Sequence, residues 1–155
     1  MTILPHVSPA CWQARIYPGS LAQMSTVRED LRTDLAGSGE DLVEAAVLCG
    51  SEIVANAIEH TLSGDPDGQV LRALFESEPG VLRLVVVDDG TRESSPEIPV
   101  DRSEEEWLSA ERGRGLLMVD VLAARWGTHP VVPFPFCADL GTAVWAEFAL
   151  GGDER

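Results

Sequence analysis

The sequence has no lysine. Its 11 basic residues are all arginine, and they stand against 26 acidic residues, for a formal net charge of −15. The absence of lysine excludes a phosphate-binding loop built on that residue, and it excludes Schiff-base chemistry. Nucleic acids are held mainly by cations that meet their phosphates. An acidic chain without a basic run is therefore expected to bind no duplex DNA or RNA.

Cysteine is scarce, and long apolar runs are missing. Cys11, Cys49 and Cys137 are odd in number and widely spaced, so they form neither a disulfide framework nor a Cys-x-x-Cys metal site. The N-terminal residues lack the basic and apolar regions of a signal peptide, and no apolar stretch approaches membrane-spanning length. We expect a cytoplasmic protein with free thiols and no membrane contact.

Length and periodicity predict one domain. The 155 residues, 45% of them hydrophobic, suit a single domain at 11–150 between a flexible leader, 1–10, and a short tail, 151–155. Apolar spacing predicts helices at 21–35, 40–62 and 116–124, and strands at 11–17, 69–77, 81–87, from 125 onward and at 142–150. This order predicts an α+β fold, a two-layer α/β sandwich with helices on one face of a mixed, largely antiparallel sheet.

The second predicted helix carries the most informative pair of residues. Glu52 and Asn56 lie four apart, hence on one face, within an otherwise apolar segment. A carboxylate beside an amide suits a hydrated Mg²⁺ or a hydroxyl awaiting deprotonation. Taken alone, the same spacing also fits an ordinary amphipathic helix whose polar stripe faces water.

Three further segments carry weaker signals. Asp88 and Gly90 follow an apolar strand, residues 113–116 read Gly-Arg-Gly-Leu at a helix start, and Thr142 follows Gly141 before the last strand. An ordinary turn or a flexible helix cap explains each one singly. Together they suit a nucleotide: an aspartate accepts a hydrogen bond from an adenine amino group, a glycine permits close approach, and bare helix amides attract phosphates.

In this order and spacing the four segments resemble the N, G1, G2 and Gly-Thr boxes of the Bergerat-fold (GHKL) ATPases, which include type II topoisomerases, histidine kinases and mismatch-repair ATPases. The closer resemblance is to small stand-alone members, the anti-sigma-factor serine/threonine-protein kinases and the actinobacterial regulators like them. It spans roughly residues 12–148.

The resemblance implies that MgATP binds between the long helix, the Asp88 segment and the third helix. By this likeness Asn56 would ligate Mg²⁺, Glu52 would be the general base and Asp88 would bind adenine. The other residues expected at the nucleotide are Gly90, Arg112, Gly113, Arg114, Gly115, Leu116 and Thr142. Polar, acidic residues 91–112 would form a lid over it.

The expected function, by the same likeness, is an ATP-dependent kinase that phosphorylates a small anti-sigma-factor antagonist, sequesters a sigma factor, or does both, as a homodimer. The alternative is a nucleotide-dependent protein-binding switch without kinase activity. It is favoured by an acidic lid and by a G1 segment with no second glycine after Gly90. A histidine kinase catalytic domain is disfavoured, because 155 residues leave no room for the dimerising hairpin that carries the phospho-accepting histidine.

Overall fold

The computed structural model describes residues 11–90, 113–130 and 141–150. The predicted leader 1–10, lid 91–112 (with Arg112) and tail 151–155 lie outside them. The described elements are β1 (Arg15–Pro18), α1 (Met24–Asp34), α2 (Glu40–His60), β2 (Gln69–Glu78), β3 (Val81–Val87), α3 (Gly113–Leu122), β4 (Arg125–Pro130) and β5 (Thr142–Ala149). Their order is the predicted one, and none of the described helices is long and apolar enough to cross a membrane.

The five described strands form one sheet in the order β1-β2-β3-β5-β4. Every pairing among them is antiparallel, so the sheet has no parallel pair of the kind that a mixed sheet would contain. The short strands β1 and β4 are its two edges, and each ends in a proline, Pro18 and Pro130. The predicted α+β class, with helices on an antiparallel sheet, is confirmed.

The core lies between the helices and one face of the sheet. Alternate residues of β3, Leu82, Leu84 and Val86, are buried on that face, as expected for the period of a strand. Gly50 of α2 sits where both layers meet, since a Cβ there would lie 2.7 Å from Leu31 Cδ1 and 3.4 Å from Leu84 Cδ2. The missing side chain thus lets α1, α2 and β3 pack closely.

Several predicted boundaries shift, and α3, predicted at 116–124, spans Gly113–Leu122. β1 begins at Arg15 rather than at residue 11, and before it only an isolated bridge joins Cys11 to Phe75. The first turn of the helix predicted at 21–35 is a 3₁₀ turn, Leu21–Gln23. α2 ends at His60 rather than at 62, because Thr61 has an extended backbone and a second 3₁₀ turn, Leu62–Gly64, follows.

One buried cation is held by an aspartate at the end of α1. Asp34 accepts hydrogen bonds from Arg15 Nε (2.9 Å) and Nη2 (2.7 Å), and from Nη2 of Arg72 (2.5 Å). Arg72 is 0% exposed, and its Nε and Nη1 have no hydrogen-bond partner in the described structure. The hydrogen bonds from Arg15 and then from Arg72 outweigh burial and hold the pKa of Asp34 below its usual value.

A buried carboxylate, Glu147 of β5, lies on the other face of the sheet. It is 1% exposed and accepts hydrogen bonds from Arg83 Nε (2.9 Å), Arg125 Nη2 (2.5 Å) and Ser77 Oγ (2.9 Å). Burial on its own would raise the pKa of Glu147, but these hydrogen bonds lower it overall. On the same face the guanidinium of Arg83 stacks 4.5 Å from the ring centre of Trp145.

Candidate functional site

Glu52 and Asn56 occupy the C-terminal half of α2, where both are half-buried. Within the described structure no hydrogen bond or ion pair involves the Glu52 carboxylate, and the buried Nδ2 of Asn56 has no partner. A buried donor left unpaired costs about 1–3 kcal/mol. The helix therefore presents an unpaired acid and an unpaired amide one turn apart, ready for a polar ligand.

These positions differ from those of a polar stripe that simply faces water. Glu59, farther along α2, is the water-facing acid: its side chain is 49% exposed, and it lies 3.8 Å from His60 Nε2. Asn56, by contrast, has a buried amide nitrogen. The amphipathic-helix interpretation thus fits Glu59 but does not explain Asn56.

Asp88 is positioned directly after β3, where it is only 9% exposed. Its Oδ1 accepts two backbone hydrogen bonds, from Gly90 N (2.8 Å) and from Thr142 N (3.1 Å). The main chain adds two more, from Asp88 N to Thr142 O and from Gly141 N to Asp88 O, both 3.1 Å long. The structure thus joins three predicted site residues, Asp88, Gly90 and Thr142, into one unit.

Gly141 is essential to that unit for steric reasons. A Cβ on Gly141 would lie 2.0 Å from Asp88 Oδ1 and 2.3 Å from Gly90 N. Gly90 is itself in the left-handed region, with φ of 94°, which glycine adopts without the strain that other residues meet. Glycines at these two positions therefore let the Asp88 turn and the start of β5 touch backbone to backbone.

A second set of contacts was not predicted from the sequence. Asp89 N donates to Ser63 Oγ (2.9 Å), and Asp89 Oδ2 accepts from Gln69 N (2.7 Å). Ser63 is 0% exposed. The sequence gives no signal for Ser63, because serine is a common residue in the turns that follow helices. The Asp88 turn is therefore held from both sides, by β5 and by the segment that follows α2.

The third predicted part is the N-terminus of α3. The helix begins at Gly113, the first residue of the Gly-Arg-Gly-Leu segment and three residues before the predicted start at 116, and it packs against α2 and β4. Val119 is its fully buried contact with the core. The first amides of a helix have no intrahelical partners and attract anions. The roles predicted for the side chains of Arg114 and Leu116 remain predictions, because their side chains lie outside the description.

The donor set of the site constrains which metal it suits. Across the described residues no group of three or more His, Cys, Asp or Glu forms a metal cluster. Mg²⁺ retains several waters and is often bound by only one or two protein oxygens together with substrate phosphates. The amide oxygen of Asn56 and the carboxylate of Glu52 would be the protein oxygens of that type of site, whereas the unpaired Nδ2 of Asn56 is a donor and binds no cation.

Comparison with known proteins identifies a family. Residues 17–128 match the family model described as a histidine kinase-like ATPase domain, which covers more than half of the chain. The matched range includes Glu52, Asn56, Asp88 and the start of α3, but it stops before β5. Thr142 is therefore joined to this site by its hydrogen bond to Asp88 and not by the match. A search of curated proteins found no match.

Proposed function

This chain belongs to the family of histidine kinase-like ATPase domains, and from that premise we propose that it is a serine/threonine-protein kinase of the anti-sigma-factor type. Membership makes it an ATP-binding domain. The proposal adds that the γ-phosphoryl group passes to a hydroxyl of a small antagonist protein, and that the same chain sequesters a sigma factor. These additions rest on the resemblance of the sequence together with the chemistry of α2.

One observation supports kinase activity above the others: the half-buried Glu52 carboxylate has no partner in the described structure. A carboxylate without an ion pair has its oxygen lone pairs available for the proton of an incoming hydroxyl. Glu52 would take the proton of the attacking serine or threonine. A positioned base of this kind contributes roughly 10²–10⁴-fold to the rate.

Asn56 and the Asp88 turn would bind the nucleotide. Asn56 would direct its amide oxygen to Mg²⁺, and bound MgATP would supply the transferable phosphoryl group. Asp88, fixed by the amides of Gly90 and Thr142, would accept a hydrogen bond from the adenine amino group. The α3 amides at Gly113 would face the phosphates, where a helix N-terminus favours negative charge.

The protein partners follow from family likeness and charge. The net charge of −15 disfavours direct contact with DNA. A regulator of transcription with this charge would act on proteins, namely a sigma factor and its antagonist, and we propose a homodimer as the working form.

The sequence of the Asp88 turn supports a second candidate function. Residues 88–92 contain a single glycine, Gly90, and an arginine, Arg92, where a second glycine would stand in the motif. This departure from the motif, together with the acidic residues of 91–112, favours a chain without kinase activity. The chain would then be a nucleotide-dependent switch that captures its partner without phosphorylating it.

A labelling experiment separates the two. The chain is incubated with γ-³²P-ATP, Mg²⁺ and candidate antagonist proteins, alongside the Glu52→Gln variant. Phosphoserine or phosphothreonine on the antagonist with wild type, and its loss with the variant, supports the kinase. Nucleotide-dependent complex formation without label supports the switch. Titration with ADP by calorimetry, with and without Mg²⁺, tests the nucleotide binding that both share.

A further inference from the structure

A buried serine outside the nucleotide pocket is tied to the Asp88 turn. Ser63 lies in the 3₁₀ turn that follows α2 and is 0% exposed. Its Oγ accepts the backbone N–H of Asp89 at 2.9 Å. Asp89 is covalently next to Asp88, so this bond fixes the peptide that carries the proposed adenine-binding carboxylate.

The same serine is connected to α2, the helix that carries Glu52 and Asn56. Ser63 N donates to Thr61 Oγ1 (3.0 Å), and Thr61 Oγ1 donates to the carbonyl of Ala57 (2.5 Å). Ala57 directly follows Asn56 in α2. A short chain of hydrogen bonds thus runs from the residue beside Asn56 to the residue beside Asp88.

Ser63 has little freedom to move away from this position. Gly19 packs on its backbone so closely that a Cβ on Gly19 would lie 1.4 Å from Ser63 O. Gly19 N also donates to Gly68 O at 2.8 Å. On the far side of the turn, Asp89 Oδ2 accepts the N–H of Gln69, the first residue of β2 (2.7 Å). Asp89 is therefore anchored at both its amide and its carboxylate.

We propose that Ser63 and Asp89 form a latch that positions Asp88, and that the preference of the site for adenine depends on this latch. The inference rests on the proposed nucleotide site. Ser63 and Asp89 are positioning residues that act through Asp88. Gly90 N and Thr142 N donate to the Asp88 carboxylate itself, whereas the latch fixes the neighbouring residue, Asp89, through its amide and its carboxylate.

The choice between adenine and hypoxanthine nucleotides distinguishes a positioning role of the latch from a purely stabilising one. Adenine presents an amino group, a hydrogen-bond donor, where hypoxanthine presents a carbonyl oxygen. A correctly placed Asp88 carboxylate accepts a hydrogen bond from the amino group of adenine and repels the carbonyl oxygen of hypoxanthine. If the latch positions Asp88, breaking it reduces discrimination between ADP and IDP. A contact that only stabilises the fold leaves the ratio of their dissociation constants unchanged.

The test is calorimetric titration of the full chain with MgADP and MgIDP. Ser63→Ala removes the acceptor for Asp89 N, and Asp89→Ala, at a half-buried position, removes the acceptor for Gln69 N. We expect each to raise the Kd for ADP about threefold to tenfold, the equivalent of one hydrogen bond, and to lower the IDP/ADP ratio of Kd values. Ser77→Ala is the matched control, because it removes a serine hydrogen bond to Glu147 near the opposite end of β2.

The outcomes separate clearly. If both latch variants keep the wild-type IDP/ADP ratio, the inference is overturned, whatever happens to their melting temperatures. The same holds if Ser77→Ala lowers the ratio as much as Ser63→Ala does. Should Ser63→Ala fail to fold, the Asp89→Ala titration decides alone. A wild-type chain that binds neither nucleotide would overturn the proposed function as well, which distinguishes that failure from failure of the latch.

Discussion

Replacing Gly141 with alanine tests the geometry of the site most directly. The new Cβ would lie 2.0 Å from Asp88 Oδ1, 2.3 Å from Gly90 N and 2.4 Å from Gly90 Cα. Non-bonded heavy atoms settle at about 3.5–4.0 Å. The methyl group and the Asp88 turn must therefore separate by more than about 1 Å, and two of the three nearest atoms belong to the backbone, so no rotamer change relieves the clash.

The expected loss of affinity for ADP follows from the hydrogen bonds that this movement breaks. Asp88 would lose the amides of Gly90 and Thr142, which hold its Oδ1 at 2.8 and 3.1 Å. The displaced Asp88 carboxylate would lose its hydrogen bond to the adenine amino group, which contributes up to about 3 kcal/mol, or about 10²-fold in Kd. We expect Gly141→Ala to weaken ADP binding about 100-fold. The two lost hydrogen bonds, at about 1 kcal/mol each, also predict a lower melting temperature.

The assay is calorimetric titration with MgADP, accompanied by thermal unfolding without nucleotide. Gly127→Ala is the matched control, because a Cβ there would lie 2.8 Å from the Trp145 ring, on β4 and away from the Asp88 turn. We expect the control to lose stability but to retain wild-type affinity for ADP. If Gly141→Ala bound ADP as tightly as wild type, Asp88 would not be the adenine ligand held in this geometry.

Four further predictions address catalysis, nucleotide binding and stability. Glu52→Gln should bind MgADP nearly as wild type but lose roughly 10²–10⁴-fold in phosphoryl transfer, whereas Asn56→Ala should weaken the Mg²⁺-dependent part of binding. Asp34→Ala should lower the free energy of unfolding by about 3–5 kcal/mol, because it leaves the buried Arg72 cation without its counter-charge. Stability should fall with decreasing pH below about 4.5, as measured by thermal unfolding, since Asp34 and Glu147 have folded-state pKa values below their usual 3.8 and 4.5.

The stability prediction has a surface control. Arg32→Ala removes a surface pair with Glu44 at 3.9 Å and should change stability by less than about 1 kcal/mol. A loss as small for Asp34→Ala would contradict the buried-cation argument. The sign of the pH effect follows from the lowered pKa values: the stabilisation is present above the unfolded values and disappears on acidification. If wild type and Asp34→Ala lost stability identically on acidification, Asp34 would not be a source of the pH-dependent stability. Wild-type transfer by Glu52→Gln would exclude it as the base.

The sequence predicted those parts of the fold that depend on local periodicity. The element order and the bounds of β3, with alternating Leu82, Leu84 and Val86, follow from hydrophobic spacing that burial imposes. Glu52 and Asn56 stood out because a polar pair in an apolar helix is costly to bury. The start of α3 was marked by Gly113, whose freedom suits a helix boundary.

The parts that the sequence did not predict depend on contacts between distant segments. Ser63 meets Asp89 26 residues away, and nothing in the turn composition around Ser63 marks it as buried. Likewise, the sequence around Gly141 shows only a glycine before a strand, and its close contact with the Asp88 turn is visible only in the structure. β1 began four residues later than predicted because β2 sets its pairing: Arg15 is the first residue in register, opposite Arg72.

The prolines that end the two edge strands affect whether another protein can associate with this one by adding a strand to its sheet. An exposed edge presents free N–H and C=O groups that recruit further strands, from a partner or from an aggregating copy. Here both edges are short, and Pro18 and Pro130 remove an amide donor at the end of each. The described sheet is therefore poorly suited to extension by strand addition, which guards it against edge-to-edge aggregation. Among the described residues, the helices, side-chain surfaces and the sheet face are therefore better suited than the strand edges to recognise another protein.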